Sequence, residues 1–215
     1  MIKGYSKTGQ YSRCKELFEK IKSETSLELN LVSYNCIIDV CVRAHDMDSA
    51  LRYFEELKKS FEPDLITYST LIKGYCVNKQ IEDAIQALNE MLSKSVTPDE
   101  PIFNLIMDSS ADLQHYKLGL SVHEIMKKSG VPPNQVTFGT LVKLYGFANM
   151  VEEAFALLDS MKSIQVHPSL IVYTNLMHIA FRCDRPDLAE KSFQLMSKQG
   201  VKGDHICFSK LITGF

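Results

Sequence analysis

Residues 65–99 read LITYSTLIKGYCVNKQIEDAIQALNEMLSKSVTPD, and this stretch decides the fold. Ile66, Leu71, Ile72 and Tyr75 recur at helical spacing and form one apolar stripe. The polar break Val77-Asn78-Lys79-Gln80 ends it. A second stripe runs through Ile81, Ala84, Ile85, Leu88, Met91 and Leu92. Glu82 and Asp83 stand in its first turn, where the helix dipole favours acidic groups. The stretch therefore reads as two amphipathic helices joined by a tight turn, closed by Pro98-Asp99.

The pattern repeats in both directions. Tyr34, Tyr68, Phe103, Phe138, Tyr173 and Phe208 are separated by 34, 35, 35, 35 and 35 residues. Pro63, Pro98, Pro133 and Pro168 keep the spacing of 35. Ala50, Ala84, Gly119, Ala154 and Ala189 recur in the same way, as do Leu57, Met91, Met126, Met161 and Met196. The repeats are 31–64, 65–99, 100–134, 135–169 and 170–204, with 1–30 a partial repeat before them and 205–215 a partial repeat after. A lone hairpin of this size leaves an apolar face uncovered, whereas stacked neighbours bury it. The expected fold is all-α: an α-solenoid, a right-handed superhelix of tandem antiparallel helical hairpins. Pro186 falls where a second helix starts, a position that needs no amide hydrogen. Repeat 100–134 carries Pro101, Ser109-Ser110 and Gly119, and is expected to be the irregular one.

Composition narrows the function. Lys plus Arg (24) against Asp plus Glu (26) gives a net charge of −2, which excludes a nucleic-acid binder acting by charge alone. No apolar run is long enough to cross a membrane as a helix, so no membrane partner is expected. Cys14, Cys36, Cys41, Cys76, Cys183 and Cys207 form no CxxC, and most lie in apolar helical patterns, where cysteine acts as a small hydrophobe. The histidines show no HExxH spacing, so neither a metal nor a cofactor is expected.

The first helices open LVSYNCII (31–38), LITYSTLI (65–72), QVTFGTLV (135–142) and LIVYTNLM (170–177). The second helices end MLSKSVTPD (91–99), MKKSGVPPN (126–134) and MSKQGVKGD (196–204). Tetratricopeptide repeats want an early Trp, and this chain has none. Over essentially its whole length the sequence resembles pentatricopeptide repeats of the P type. MIKGYSKTGQ at 1–10 aligns with LIKGYCVNKQ at 71–80, so a segment of a longer array is expected.

The resemblance implies binding of single-stranded RNA at one base per repeat. The base is read by the fifth residue of a repeat together with its last: Asn35 with Asp64, Ser69 with Asp99, Asn104 with Asn134, Gly139 with Ser169, and Thr174 with Asp204. Asn30 and Ser209 are half-pairs. By the family's code Asn35/Asp64 implies U, Ser69/Asp99 leans to G, Asn104/Asn134 implies a pyrimidine, Gly139/Ser169 has no reading and Thr174/Asp204 implies G. The implied track is 5′-U-G-Y-N-G-3′. Val32, Ile66, Val136, Ile171 and Ile206, second in their repeats, would sandwich bases, whereas Pro101 is unsuited. Lys7, Arg43 and Arg182 would meet phosphate; Val77, Asp112 and Phe147 hold that position elsewhere. Asp204 is expected to accept a hydrogen bond from Thr174 or from the base.

Simpler readings stand beside these. An Asp or Asn after Pro caps a helix in a protein that binds nothing, and core packing explains an aliphatic second residue equally well. The first-helix stretch 100–113 carries Glu100, Asp108 and Asp112, net −3, while 65–78, 135–148 and 170–183 each carry +1. A few phosphate contacts at ~0.7 log unit each give a shallow salt dependence, so weak binding is expected. The alternative is a protein-interaction scaffold within a ribonucleoprotein assembly. The family's catalytic parts, a deaminase with HxE and CxxC or a nuclease with clustered aspartates, have no counterpart here, so no enzyme is expected. The resemblance alone implies a mitochondrion or plastid.

Overall fold

The computed structural model describes residues 10–24, 29–205 and 207–209. Among them are eleven α-helices with both ends described, further helical residues at 205 and 207–209, and no strand. In chain order these are α1 (Tyr11–Glu24), α2 (Leu31–Arg43), α3 (Met47–Lys58), α4 (Leu65–Val77), α5 (Ile81–Ser93) and α6 (Glu100–Asp112). There follow α7 (Tyr116–Lys128), α8 (Gln135–Phe147), α9 (Val151–Ser163), α10 (Leu170–Arg182) and α11 (Pro186–Lys198). The all-α tandem-hairpin fold read from the sequence is the observed one. The chain forms two compact halves, Met1–Ser109 and Ser110–Phe215.

In the first half α2 pairs with α3 and α4 with α5, while α2 also packs along α4. Tyr34 and Tyr53 meet the Phe18 ring edge-on, with centroids 5.4 and 5.2 Å away, and Tyr68 meets Phe54 at 5.9 Å. Such aromatic pairs add to the burial of their area. In the second half α8 pairs with α9 and α10 with α11, and α8 packs along α10. The recurring alanines Ala50, Ala84, Ala154 and Ala189 are fully buried, as expected of small residues that admit a close helix. Gly146 marks a close approach in the second half: a Cβ there would lie 2.7 Å from Ile179 Cγ1.

The turns explain the period. Every first helix of a full repeat ends through a left-handed residue: His45, Lys79, Gln114, Asn149 and Asp184 all have φ between 55° and 62°. The next amide reaches back five residues, as in Asp46 N–H to Cys41 O and Gln80 N–H to Tyr75 O. Second helices close alike, with Val96, Val131, Val166 and Val201 amides donating to Met91, Met126, Met161 and Met196 carbonyls. This is a Schellman end, in which an apolar contact accompanies the six-to-one bond. The recurring methionine and the valine five residues later thus form one stop signal.

Pro101 does not shorten its helix. Helix α6 has 13 residues, the length of α4 and α8. Pro101 is its second residue, and amides of the first turn have no intrahelical acceptor to lose.

Candidate functional site

The second residues of the repeats are the first surprise of the packing. Val32, Ile66, Val136 and Ile171 are 61%, 60%, 59% and 64% exposed. Ile37, Ile72, Leu141 and Leu176, on the same helices, are wholly buried. Core packing therefore does not account for the second-position aliphatics. Pro101 is exposed as well, and Ile206 lies outside the described residues.

The last residues cap the next helix. Asp64, Asn134 and Asn30 accept from the backbone N–H of Thr67, Thr137 and Ser33 at 2.8, 3.0 and 2.9 Å. Asp99 and Asp204 accept from the Ile102 and Cys207 amides at 3.2 and 2.7 Å. Ser169 makes no such bond, so α10 starts without a side-chain cap. The capping role is real, and it leaves room for more. On Asp64 the cap and two further contacts all fall on Oδ1.

The fifth residues differ in what they bond. Asn35, 8% exposed, donates from Nδ2 to Asp64 Oδ1 at 3.2 Å. That direct bond joins the ends of one repeat across 29 positions of sequence. The hydroxyls turn the other way: Ser69 Oγ donates to Leu65 O, and Thr174 Oγ1 to Leu170 O at 2.8 Å. Thr174 thus satisfies its own helix, and the expected bond to Asp204 is replaced by this one. A Ser or Thr proton in a helix finds the carbonyl four residues back without leaving its rotamer; the longer Asn side chain reaches across. Asn104 donates from Nδ2 to Glu100 Oε1 at 3.1 Å. A Cβ built on Gly139 meets nothing within 4 Å, so this fifth position opens onto empty space. Ser209 is exposed.

Burial alone would raise the Asp64 carboxyl, but hydrogen bonds from Thr67 and Asn35 outweigh it and hold it below the usual carboxylate range. The carboxylate is therefore charged at neutral pH, an acceptor only. Arg43 is exposed and pairs with Asp39 at 2.9 Å. Arg182 is exposed, its guanidinium 6.0 Å from the centre of the Phe147 ring. Lys7 lies outside the described residues.

Sequence reading missed Thr67. It is fully buried, closes the capping box of α4, and touches both Asn35 and Asp64. The signal was present as D-x-x-T at 64–67, N-x-x-T at 134–137 and N-x-x-S at 30–33.

Comparison with known proteins accounts for this recurrence. Residues 29–77 and 63–111 match the PPR repeat family, 129–162 and 1–25 match the PPR repeat, and 156–215 match the pentatricopeptide repeat domain. A chloroplastic pentatricopeptide repeat-containing protein of Arabidopsis thaliana is 29% identical over 75% of this chain and 21% of its own length. A small ribosomal subunit protein of the same plant, mL103 (rPPR7), is 22% identical over 98% of this chain and 54% of its own. The chain spans between 21% and 61% of the first four of these relatives. The crystal structure of the pentatricopeptide repeat protein PPR10 from maize superposes with a TM-score of 0.70 at 24% identity, covering 99% of this chain and 30% of that one. The PPR domain of Arabidopsis thaliana protein-only RNase P 1, solved in complex with tRNA, gives 0.67 at 15% identity, covering 82% and 94%. On its repeats, its caps and these matches, the chain belongs to the pentatricopeptide repeat family.

Proposed function

We propose that this chain binds single-stranded RNA, one base per repeat, and serves organellar RNA processing, stability or translation. The observation that carries the reading is the exposure of Val32, Ile66, Val136 and Ile171. Four aliphatic side chains at one repeat position, each more than half in water, cost solvation unless something flat and apolar covers them. Bases are flat and apolar on both faces, and base stacking on side chains tolerates any sequence. The paired residues beside them supply polar edges: Asn35/Asp64, Ser69/Asp99, Asn104/Asn134 and Thr174/Asp204, with Asn30 and Ser209 as half-pairs and Gly139/Ser169 as the pair without a reading. The track is 5′-U-G-Y-N-G-3′, with Arg43 and Arg182 towards phosphate. Maize PPR10 has been solved with an 18-nucleotide psaJ RNA element, at a TM-score of 0.58 and 18% identity to this chain. The segment binds and does not itself catalyse. Its setting is a mitochondrion or plastid, after the chloroplastic relative.

A titration tests this. Labelled RNAs carrying UGCAG, or the same bases scrambled, are bound to the 215-residue chain at low salt. Preference for the ordered track supports the reading; equal binding of both, or none, contradicts it.

One observation favours a second reading, a scaffold in a ribonucleoprotein assembly. The stretch 100–113 is net −3, which repels phosphate and suits a basic protein surface. Binding to a basic protein partner with no measurable RNA affinity would favour it.

A further inference from the structure

Thr67 is third in its repeat, and its hydroxyl lies between the two residues of the preceding pair. Oγ1 stands 2.7 Å from Asn35 Oδ1 and 2.7 Å from Asp64 Oδ1. The Thr67 amide donates to Asp64 Oδ1 at 2.8 Å, and the Asp64 amide donates to Thr67 Oγ1 at 3.3 Å.

The chemistry of the donors sets the direction of each bond. A carboxylate only accepts, so the Asn35 atom facing it at 3.2 Å is Nδ2. The amide oxygen then faces Thr67, whose single proton is shared between the two acceptors. Turning the amide over would set its oxygen against the carboxylate and its NH₂ against the hydroxyl, losing the bond to Asp64. Asn35 is thus held at both ends of its amide. What remains is one Nδ2 hydrogen and one Oδ1 lone pair, a donor and an acceptor in fixed order.

Uracil and cytosine differ in this order. Uracil offers the O4 acceptor beside the N3–H donor; cytosine offers the N4 donor beside the N3 acceptor. An amide free to turn over matches either base, whereas an amide held one way matches one. Building on the RNA reading above, we infer that Thr67 is a positioning residue that makes repeat 31–64 separate uracil from cytosine.

Two other repeats supply the contrast. Ile102 and Cys207 are the third residues behind Ser69/Asp99 and Thr174/Asp204, and neither has a hydroxyl. There the fifth residue bonds its own helix, at Leu65 O and Leu170 O. The cap is nevertheless in place, since Asp204 Oδ1 accepts from the Cys207 amide at 2.7 Å.

The test compares wild type, Thr67→Ser and Thr67→Val in the 215-residue chain, using RNAs that differ only in U or C at the matching base. Wild type and Thr67→Ser should prefer U. In Thr67→Val the U-to-C ratio should fall about fivefold, the worth of one net hydrogen bond. Without RNA, the Asn35 side-chain amide protons should exchange slowly in wild type and faster in Thr67→Val. A second arm covers loss of fold in Thr67→Val, checked by circular dichroism. Thr174→Asn with Cys207→Thr rebuilds the triad around Asp204 and should gain a U-over-C preference that Thr174→Asn alone lacks. An unchanged ratio in folded Thr67→Val, or full preference in Thr174→Asn alone, overturns the inference and leaves RNA reading intact. Absence of RNA binding in wild type overturns both, even where the amide exchange behaves as expected.

Discussion

Asn35 and Asp64 stand 29 residues apart in sequence and 3.2 Å apart in space, joined by a bond from the Asn35 amide to the carboxylate that caps α4. One carboxylate oxygen thus serves the helix and the neighbouring fifth residue together. Stability and the proposed base reading meet at this atom.

Removing the cap should cost stability where the cap exists. Asp64→Ala should lower the unfolding free energy by about 1 kcal/mol, the usual worth of an N-cap. Ser169→Ala should change it by less than about 0.5 kcal/mol, because Ser169 makes no cap bond. Urea denaturation followed by circular dichroism measures both.

Two glycines should respond in opposite ways to alanine. At Gly146 the new Cβ would meet Ile179 Cγ1 at 2.7 Å, and overpacking of this kind costs about 1–3 kcal/mol. At Gly139 nothing lies within 4 Å, so Gly139→Ala should gain about 0.5–1 kcal/mol from helix propensity. The thermal midpoints of the two variants should move apart.

Acid should act through His123. Burial pushes its imidazole down from 6.5 to about 4, and it is 6% exposed. A histidine whose folded value is depressed is held neutral by the fold. The unfolded chain takes up its proton first, so stability is full above 6.5 and falls as the pH drops towards about 4. The loss is of order 3 kcal/mol at most, by linkage. In urea titrations at pH 7 and pH 5, wild type should lose more stability on acidification than His123→Leu.

Much of the fold was legible in the sequence, because the period of 34 or 35 is carried by residues the turns and core require. Tyr68 and Ala84 are buried, and Met91 with Val96 forms a helix stop, all at positions the repeat marks. The site was legible only in part. Ile66 and Ile72 are the same residue type six positions apart on one helix, one exposed and one buried. Only the direction of packing tells them apart. The hydroxyls of Ser69 and Thr174 turn to their own helix, a local choice of rotamer that spacing does not encode. Thr67 went unmarked in the sequence because its second contact, with Asn35, comes from 32 positions earlier.

The unreadable repeat should be open to repair. Gly139 faces empty space and Ser169 caps nothing. Gly139→Asn with Ser169→Asp should therefore retain the fold and confer a pyrimidine preference at the matching base, with discrimination of about 1–3 kcal/mol on the scale of a good base contact. Binding to four RNAs that differ only at that base reads it out.

The central claim is that the exposed aliphatics exist for RNA and not for the core. The direct measurement is to change Val32, Ile66, Val136 and Ile171 to Ser together, and to record the thermal midpoint and the RNA dissociation constant of the same protein. Because these side chains are 59% to 64% exposed, the midpoint should stay within a few degrees of wild type. The dissociation constant should rise at least tenfold, since each lost stacking platform contributes about 1 kcal/mol at the low end. A midpoint that collapses while RNA affinity per folded molecule is unchanged would contradict the account.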